Sequence, residues 1–397
     1  MGDRKVIVFD TTLRDGEQTP GVNFDKDSKY RIAKQLVSLG VDVIEAGFPA
    51  ASNGNFEAVK HIAENIDDVV VAGLSRCVKS DIDKTYEALK NAKKSRIHLF
   101  IATSDIHLKY KLKISRDEAL KMAVDSVKYA SGKFDEIQFS AEDASRTDWD
   151  FLVKIFNEVV DAGAKIINIP DTVGYAVPKE FEKLVEYVKK HIHDKDNVTI
   201  SVHCHNDLGM AVVNSLSALE SGAQQVEVTV CGIGERAGNA SLEEVIMAIN
   251  TRKDYFNLLH SINTREIFST CKLVSELSGI DLQPNKAIVG SNAFRHTAGI
   301  HQHGVINNKA TYEIMRPEDI GITTDHISMG KLSGRNAFEL KLKNMGYELS
   351  RDEMNLAFKK FKDVADNKKI VNDNEIKAIV DDVILNTKSF KEGELWG

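Results

Sequence analysis

The sequence predicts an eight-stranded (β/α)8 TIM barrel, an α/β fold, followed by a mostly helical accessory region. Over the first 265 or so of the 397 residues, short β-branched apolar runs alternate with longer segments of helical period. These runs number eight, and eight strand–helix units over roughly 250 residues is the arithmetic of a closed barrel. Several runs end in ionisable residues, which would share one rim of such a barrel, the rim on which barrel enzymes build their sites. A doubly wound open sheet is the structural alternative, because strand count alone does not prove closure.

In order, strand-like Val6–Phe9 precedes helical Asp25–Leu39, Val41–Glu45 precedes Phe56–Glu64, and Val69–Gly73 precedes Ile82–Ala92. Arg96–Ile101 then leads to Arg116–Ser131, Glu136–Ser140 to Asp148–Ala162, and Ile166–Ile169 to Pro178–His191. Thr199–His203 leads to Leu208–Glu220, and Gln225–Val230 to a helix from Ser241. The expected domains are a barrel over 1–265, an irregular linker over 266–335 that contributes to the active site, and a small helical subdomain over 336–397. Gln283-Pro284-Asn285-Lys286 opens the irregular text, and helices are expected at Ala337–Met345, Ser350–Val371 and Asn374–Leu385. Ser350 with Glu353 three residues on forms a capping box.

Composition excludes several classes. With 52 Lys+Arg against 59 Asp+Glu, the net charge of −7 offers no basic excess to displace counterions from nucleic acid. No apolar run approaches the roughly 18–20 residues that span a bilayer, and no signal peptide follows Met1. Four widely spaced cysteines (Cys77, Cys204, Cys231, Cys271) without a CxxC suit a reducing cytoplasm and read as packing.

The strand ends carry the chemistry. His203 and His205 are i and i+2 on a strand, so both imidazoles face the same way and suit a divalent metal. A buried His pair without metal is the plainer alternative. Asp15 is a natural third, hard ligand, and two His with one carboxylate leave positions open for substrate oxygens. Arg14 beside it suits an enolate or carboxylate oxygen, or a rim salt bridge to Glu45, and the two roles are compatible. The loop Cys231-Gly232-Ile-Gly234-Glu235-Arg236-Ala-Gly238-Asn239 follows the eighth strand, where backbone N–H groups can cradle phosphate. A plain tight connection remains the alternative there.

Taken together, Asp10-Thr-Thr-Leu-Arg14-Asp15-Gly-Glu-Gln18, His203-Cys-His-Asn-Asp207 and Gly232-Ile-Gly-Glu-Arg-Ala-Gly-Asn239 resemble the acyl-CoA Claisen-condensing enzymes. That family comprises the 2-isopropylmalate, homocitrate and citramalate synthases, metal-dependent TIM barrels. Glu45-Ala-Gly-Phe-Pro49, Asn168-Ile-Pro170-Asp-Thr172, Gly299-Ile-His301-Gln-His-Gly304 and Thr311-Tyr312 look like the 2-isopropylmalate branch. His303 departs from the family's usual Asp.

The resemblance implies Asp15, His203, His205 and Asn239 as holders of a divalent metal, Mn2+ or Mg2+ with Zn2+ the third option. It implies Arg14, Glu142, His301 and Tyr312 as catalytic groups. Gln18, Glu45, His98, Ser140, Asn168, Pro170 and Thr172 would line a 2-oxo acid pocket. Gly232, Gly234, Glu235 and Arg236 would meet acetyl-CoA. It further implies a homodimer whose accessory region crosses to the partner barrel. The family's full chains carry a leucine-binding C-terminal domain, and nothing follows Gly397 here, so no allosteric inhibition by leucine is expected. Rival readings are homocitrate or citramalate synthesis, a metal-dependent lyase or biotin-dependent carboxyl transferase on the same barrel, and a non-enzymatic binding module.

Overall fold

A computed structural model describes residues 4–393 apart from 297–300, 302–303, 306, 323–328, 332 and 369–370. Gly299 and His303 therefore lie outside the described residues. The chain forms two compact units, Met1–Leu282 with Ala287–Val289, and Gln283–Lys286 with Gly290–Gly397.

The first unit is a closed barrel of eight parallel strands: β1 (Ile7–Asp10), β2 (Val43–Gly47), β3 (Val70–Arg76), β4 (Ser95–Ala102), β5 (Ile137–Glu142), β6 (Ile166–Asp171), β7 (Thr199–Cys204) and β8 (Gln225–Val228). Closure comes from β1 pairing with β8, Ile7 opposite Gln225 through Asp10 opposite Val228. The open-sheet alternative is thereby eliminated. The helices between strands are α1 (Lys26–Leu39), α2 (Asn53–Asn65), α3 (Lys79–Leu89), α4 (Arg116–Ser131), α5 (Trp149–Asp161), α6 (Pro178–His191) and α7 (Ala211–Glu220); α8 (Leu242–Thr251) follows β8. Their starts follow local chemistry. Asp25 and Asp148 accept the first free N–H groups of α1 and α5, and Pro178 sits at the first turn of α6, where its missing N–H is harmless.

Each strand is buried on both faces, with Val, Ile and Ala against the helices. The barrel interior is polar beneath its rim. Arg96 donates to Gln225 (2.7 Å) and Gln138 (3.0 Å), and Gln138 in turn donates to Glu227. Such a network is stable in a core only because its members satisfy one another.

Three expectations need correction. A helix, α9 (Ile267–Ser278), occupies text expected to be irregular, packs on α1 and belongs to the barrel unit. Gly279, in the left-handed region at φ 71°, ends it. The seventh barrel helix begins at Ala211 rather than Leu208, because Asn206 and Gly209 close a turn first.

The second unit contains α10 (Arg335–Asn344), α11 (Arg351–Asp366) and α12 (Asp373–Gly393). The Ser350–Glu353 capping box forms. The third correction is that α11 stops at Asp366 rather than Val371, which pairs instead with Met329. Phe338, Leu342, Phe361, Ile376 and Val380 form its core, with Phe338 stacked on Phe361 at 4.7 Å.

Asp10 ends β1 fully buried, accepting from the N–H and hydroxyl of Thr12. Burial, aided by the charges of Glu45 and Glu243, pushes its carboxyl up to about 7. A raised acid holds its proton in the fold while the unfolded chain has lost it, so its stabilisation is full below pH ~4 and is lost as pH rises to ~7. Asp10→Asn has no such proton. Its stability relative to the parent should therefore improve between those pH values, by on the order of 3–4 kcal/mol. Urea unfolding of both proteins at each end of the window measures this, and a pH-independent difference would contradict it.

Candidate active site

The C-terminal ends of the strands surround a cavity of about 270 Å3, lined among others by Arg14, Asp15, Gln18, His98, Ser140 and Glu142. Asn168, Pro170, Thr172, His203, His205 and Glu235 also lie on its wall, whereas Glu45, Asn239, Gly232, Gly234, Arg236, His301 and Tyr312 of the expected set are not among its lining residues. The parallel register aligns them, placing Ser140 opposite Asn168 and Pro170 opposite His203.

Asp15 follows β1, on a turn whose N–H groups return to the Thr11 carbonyl. His203 lies on β7 and His205 one residue beyond it; Cys204 between them is buried on the opposite face. Nε2 of His203 and of His205 stand 3.6 and 3.8 Å from Oδ2 of Asp15. Asn239 donates to Asp15 Oδ1 at 2.9 Å and to the Ile233 carbonyl at 3.1 Å, which leaves its own Oδ1 buried with no hydrogen-bond partner. An unpartnered buried acceptor on a residue bonded to Asp15, the carboxylate that faces two imidazoles, fits a cation. Gly234 is required here, since a Cβ would sit 2.0 Å from Asn239 Nδ2 and 3.0 Å from Asp15 Oδ1.

For Asp15 and His205 the electrostatics favour the ligating forms. Burial pushes the Asp15 carboxyl up, but Arg14, His203 and His205 together hold it well below the usual range. Burial and the charge of His203 lower His205 to about 4, which leaves it neutral and able to ligate. His203 is raised despite its burial, because Glu227 Oε2 lies 3.0 Å from Nδ1 and Asp15 lies across from Nε2.

Glu227 was missed in the sequence reading. It lies opposite His203 on β8, inside the run Gln225–Val228, where one carboxylate among apolar residues gives little signal. With the Glu227 carboxylate 3.0 Å from Nδ1 as its ion-pair partner, the imidazole turns Nε2 toward Asp15. Glu227→Gln keeps the Gln138 contact and loses the ring's ion-pair partner, so Mn2+ affinity should fall about 10–100-fold with the fold intact. Calorimetric titration measures it, and unchanged affinity would refute the orienting role.

Arg14 meets both expected roles. Nε donates to Glu45 Oε2 at 2.6 Å and Nη1 to Asp15 Oδ2 at 2.5 Å. Thr11 donates to the same Glu45 oxygen at 2.6 Å, and His98 Nδ1 lies 2.6 Å from the other. Although burial opposes it, Arg14 and His98 hold the Glu45 carboxyl at about 2. A carboxylate only accepts, so Nδ1 of His98 carries the proton. Nε2 of that ring meets Ser140 at 2.6 Å, and Ser140 accepts from Asn168 at 2.8 Å.

Thr172 Oγ1 accepts from the Asp143 N–H at 2.9 Å and keeps its own proton to donate. Glu142 contacts Lys111, a cavity-lining residue that the sequence reading also missed. Lys111 lies on a π-helical turn, Leu108–Leu112, which has no spacing signature. In the loop after β8, Gly238 allows the Gly232 carbonyl to approach, because a Cβ there would stand 1.9 Å from that oxygen. Arg236 grips both Asp207 oxygens (2.7 and 3.0 Å) and the Thr172 carbonyl. In the second unit the rings of His301 and Tyr312 stand 4.4 Å apart, and Tyr312 is half exposed.

A (β/α)8 barrel with a buried Asp–His–His cluster able to hold a metal ion at its strand ends defines a barrel of the HMGL-like class, and residues 5–274 match the HMGL-like family. Residues 288–369 match the homocitrate synthase post-HMGL domain-like family. The chain is 68% identical over 396 residues to 2-isopropylmalate synthase 1 of Caldanaerobacter subterraneus subsp. tengcongensis, covering 100% of each. It is 56% identical over 386 residues to 2-isopropylmalate synthase of Pyrococcus abyssi, covering 97% of this chain and 79% of that one. The chain belongs to the 2-isopropylmalate synthase family. Among solved structures it resembles hydroxymethylglutaryl-CoA lyase from Pseudomonas aeruginosa (TM-score 0.61, 19% identity, 70% of this chain and 94% of that one). It also resembles the carboxyl transferase domain of Rhizobium etli pyruvate carboxylase (TM-score 0.53, 17% identity, 73% of this chain and 50% of that one). These two likenesses concern the fold alone.

Proposed function

We propose that this chain condenses acetyl-CoA with 3-methyl-2-oxobutanoate and hydrolyses the thioester: acetyl-CoA + 3-methyl-2-oxobutanoate + water → 2-isopropylmalate + CoA. It is an acyltransferase of the Claisen-condensing type, acting in leucine biosynthesis. The observation that carries this reading is the meeting of Asp15, His203, His205 and Arg14 in one cavity of a chain 68% identical to a 2-isopropylmalate synthase.

Asp15, His203, His205 and the Asn239 carbonyl oxygen would hold the divalent ion, Mn2+ or Mg2+ with Zn2+ the third option. When bound, the ion supplies Lewis-acid polarisation of the keto group. Arg14 has donors left beyond those given to Glu45 and Asp15, and these stabilise the oxygen charge that develops as the new C–C bond forms. The free Thr172 hydroxyl proton suits the oxo acid carboxylate, with Gln18, His98, Ser140, Asn168 and Pro170 shaping the pocket. Glu142, His301 and Tyr312 are the groups assigned to proton removal from the acetyl methyl. Gly232, Gly234, Glu235 and Arg236 are assigned to acetyl-CoA, with Arg236 reaching it from its Asp207 anchor.

CoA release, followed with a panel of 2-oxo acids, tests the reading. The highest kcat/KM should fall to 3-methyl-2-oxobutanoate. Preference for 2-oxoglutarate or pyruvate would transfer the assignment to homocitrate or citramalate synthesis. One methylene in such a pocket is worth about 1–3 kcal/mol, or roughly 10–200-fold, so neighbouring oxo acids should retain measurable turnover.

We further assign a cytoplasmic homodimer in which the second unit of one protomer serves its partner's barrel, with His301 and Tyr312 acting there. The charge of −7 disfavours nucleic acid, and no helix among the described residues is long and apolar enough to cross a membrane. Mixing inactive Arg14→Ala and His301→Ala proteins under subunit exchange should restore part of the activity. Exchange without recovery would place the whole site within one chain.

A further inference from the structure

Behind the glycine-rich loop, away from the catalytic cavity, three donors from three elements converge. Cys231 follows β8, Glu243 lies in the first turn of α8, and Cys271 lies in α9. Their sulfur and carboxylate oxygen atoms all lie within 4.8 Å of one another. Glu243 and Cys271 are buried and Cys231 partly so. Cys231 is held in the left-handed region, at φ 61°, a conformation that side chains other than glycine adopt mainly where surrounding structure imposes it. Its N–H donates to Glu243 Oε2 at 3.0 Å, and its Sγ lies 3.7 Å from the Cys271 carbonyl oxygen. The backbone is thus bent so that the thiol faces the other two donors.

We propose that Cys231, Glu243 and Cys271 form a second cation site, for a thiophilic divalent ion of the zinc class, separate from the Asp15–His203–His205 cluster. Two sulfur ligands and one carboxylate select zinc-like ions over Mg2+ or Mn2+, whose preference is for oxygen. Tetrahedral bonds of about 2.3 Å to sulfur and 2.0 Å to oxygen bring the donors only slightly closer than they already stand. Binding releases the two thiol protons, so the ion meets two thiolates and one carboxylate. Cys231 adjoins Gly232, at the base of the loop that delivers Asn239, so an ion here would tether that base to α8 and α9.

The test uses the full chain, reduced with a phosphine and supplied with excess Mg2+, and titrated with Cd2+. The expected result is an ultraviolet sulfur-to-cadmium charge-transfer band that saturates at a single ion per chain. Cys231→Ser and Cys271→Ser should each abolish it, and Glu243→Gln should weaken Cd2+ binding by about tenfold or more. His203→Ala should leave the band in place, which separates the two sites. In the unsubstituted protein, Zn2+ should slow alkylation of Cys231, read by peptide mass. Absence of the band, its persistence in Cys231→Ser, alkylation indifferent to Zn2+, or a Cys231–Cys271 disulfide in place of ion binding would each overturn the proposal.

Discussion

His203→Ala is expected to lose its divalent ion and at least ~10³-fold in kcat/KM while the barrel still folds. Among the described residues the ring supplies one of the two imidazoles of the Asp15–His203–His205 cluster, and its Nε2 stands 3.6 Å from the Asp15 carboxylate expected to share the ion. Of its described neighbours in the chain and across the strand pair, Cys204 is buried on the opposite face and Glu227 is engaged by Gln138, so neither takes its place. Lewis-acid activation supplies several kcal/mol of transition-state stabilisation, and each 1.36 kcal/mol is tenfold in rate. The fold should survive because the ring faces the cavity rather than packing the core. Metal analysis, circular dichroism and CoA release on one preparation decide the matter, with His205→Ala as the companion. Full activity at unchanged metal content in either variant would remove that histidine from the site.

Arg14→Ala should strike both stability and catalysis. Its guanidinium is the shared partner of Glu45 and Asp15, both fully or almost fully buried. Removing one partner of a buried ion pair typically costs about 3–5 kcal/mol, because the other charge is left uncompensated. Loss of a donor aimed at developing oxygen charge costs a further ~10²–10³ in kcat. The pH dependence has a definite sign. Arg14 depresses both carboxyls, so its contribution is present above their unfolded values near pH 4 and fades as the pH falls toward about 2 for Glu45. The variant's deficit should therefore be largest at neutral pH and shrink in acid, which denaturant melts across that range will read. Arg14→Lys should rescue little, since a point charge cannot place Nε on Glu45 and Nη1 on Asp15 together. Near-complete rescue by Lys would mean that charge alone, without the fork, is what the site requires.

The alternation of β-branched runs with helical segments already prescribed the barrel's units, because strands packed under helices read as short apolar-rich runs even where polar interior residues interrupt them. The His203–His205 spacing likewise announced two imidazoles on one face, and the position of Asp15 after β1 put a carboxylate on the same rim. These are properties of single elements, and a sequence carries them directly. Helix α9 was hidden for another reason. It lies beyond the eighth repeat, where the rhythm that identifies units has ended, and only its packing on α1 assigns it to the barrel.

Closure itself, the choice between a barrel and an open sheet, needed the pairing of β1 with β8, a contact between residues more than 200 positions apart. The same is true of Glu227 under His203, of Asn239 beside Asp15, and of Cys231, Glu243 and Cys271 behind the loop. Each depends on distances across strands or between helices, which no local spacing encodes. Residue types and their periods determined the elements, the rim and the candidate ligands from the sequence alone. Which carboxylate orients which imidazole was decided only by the register of the closed barrel, because hydrogen bonds and ion pairs act over a few ångströms of space and are indifferent to separation along the chain.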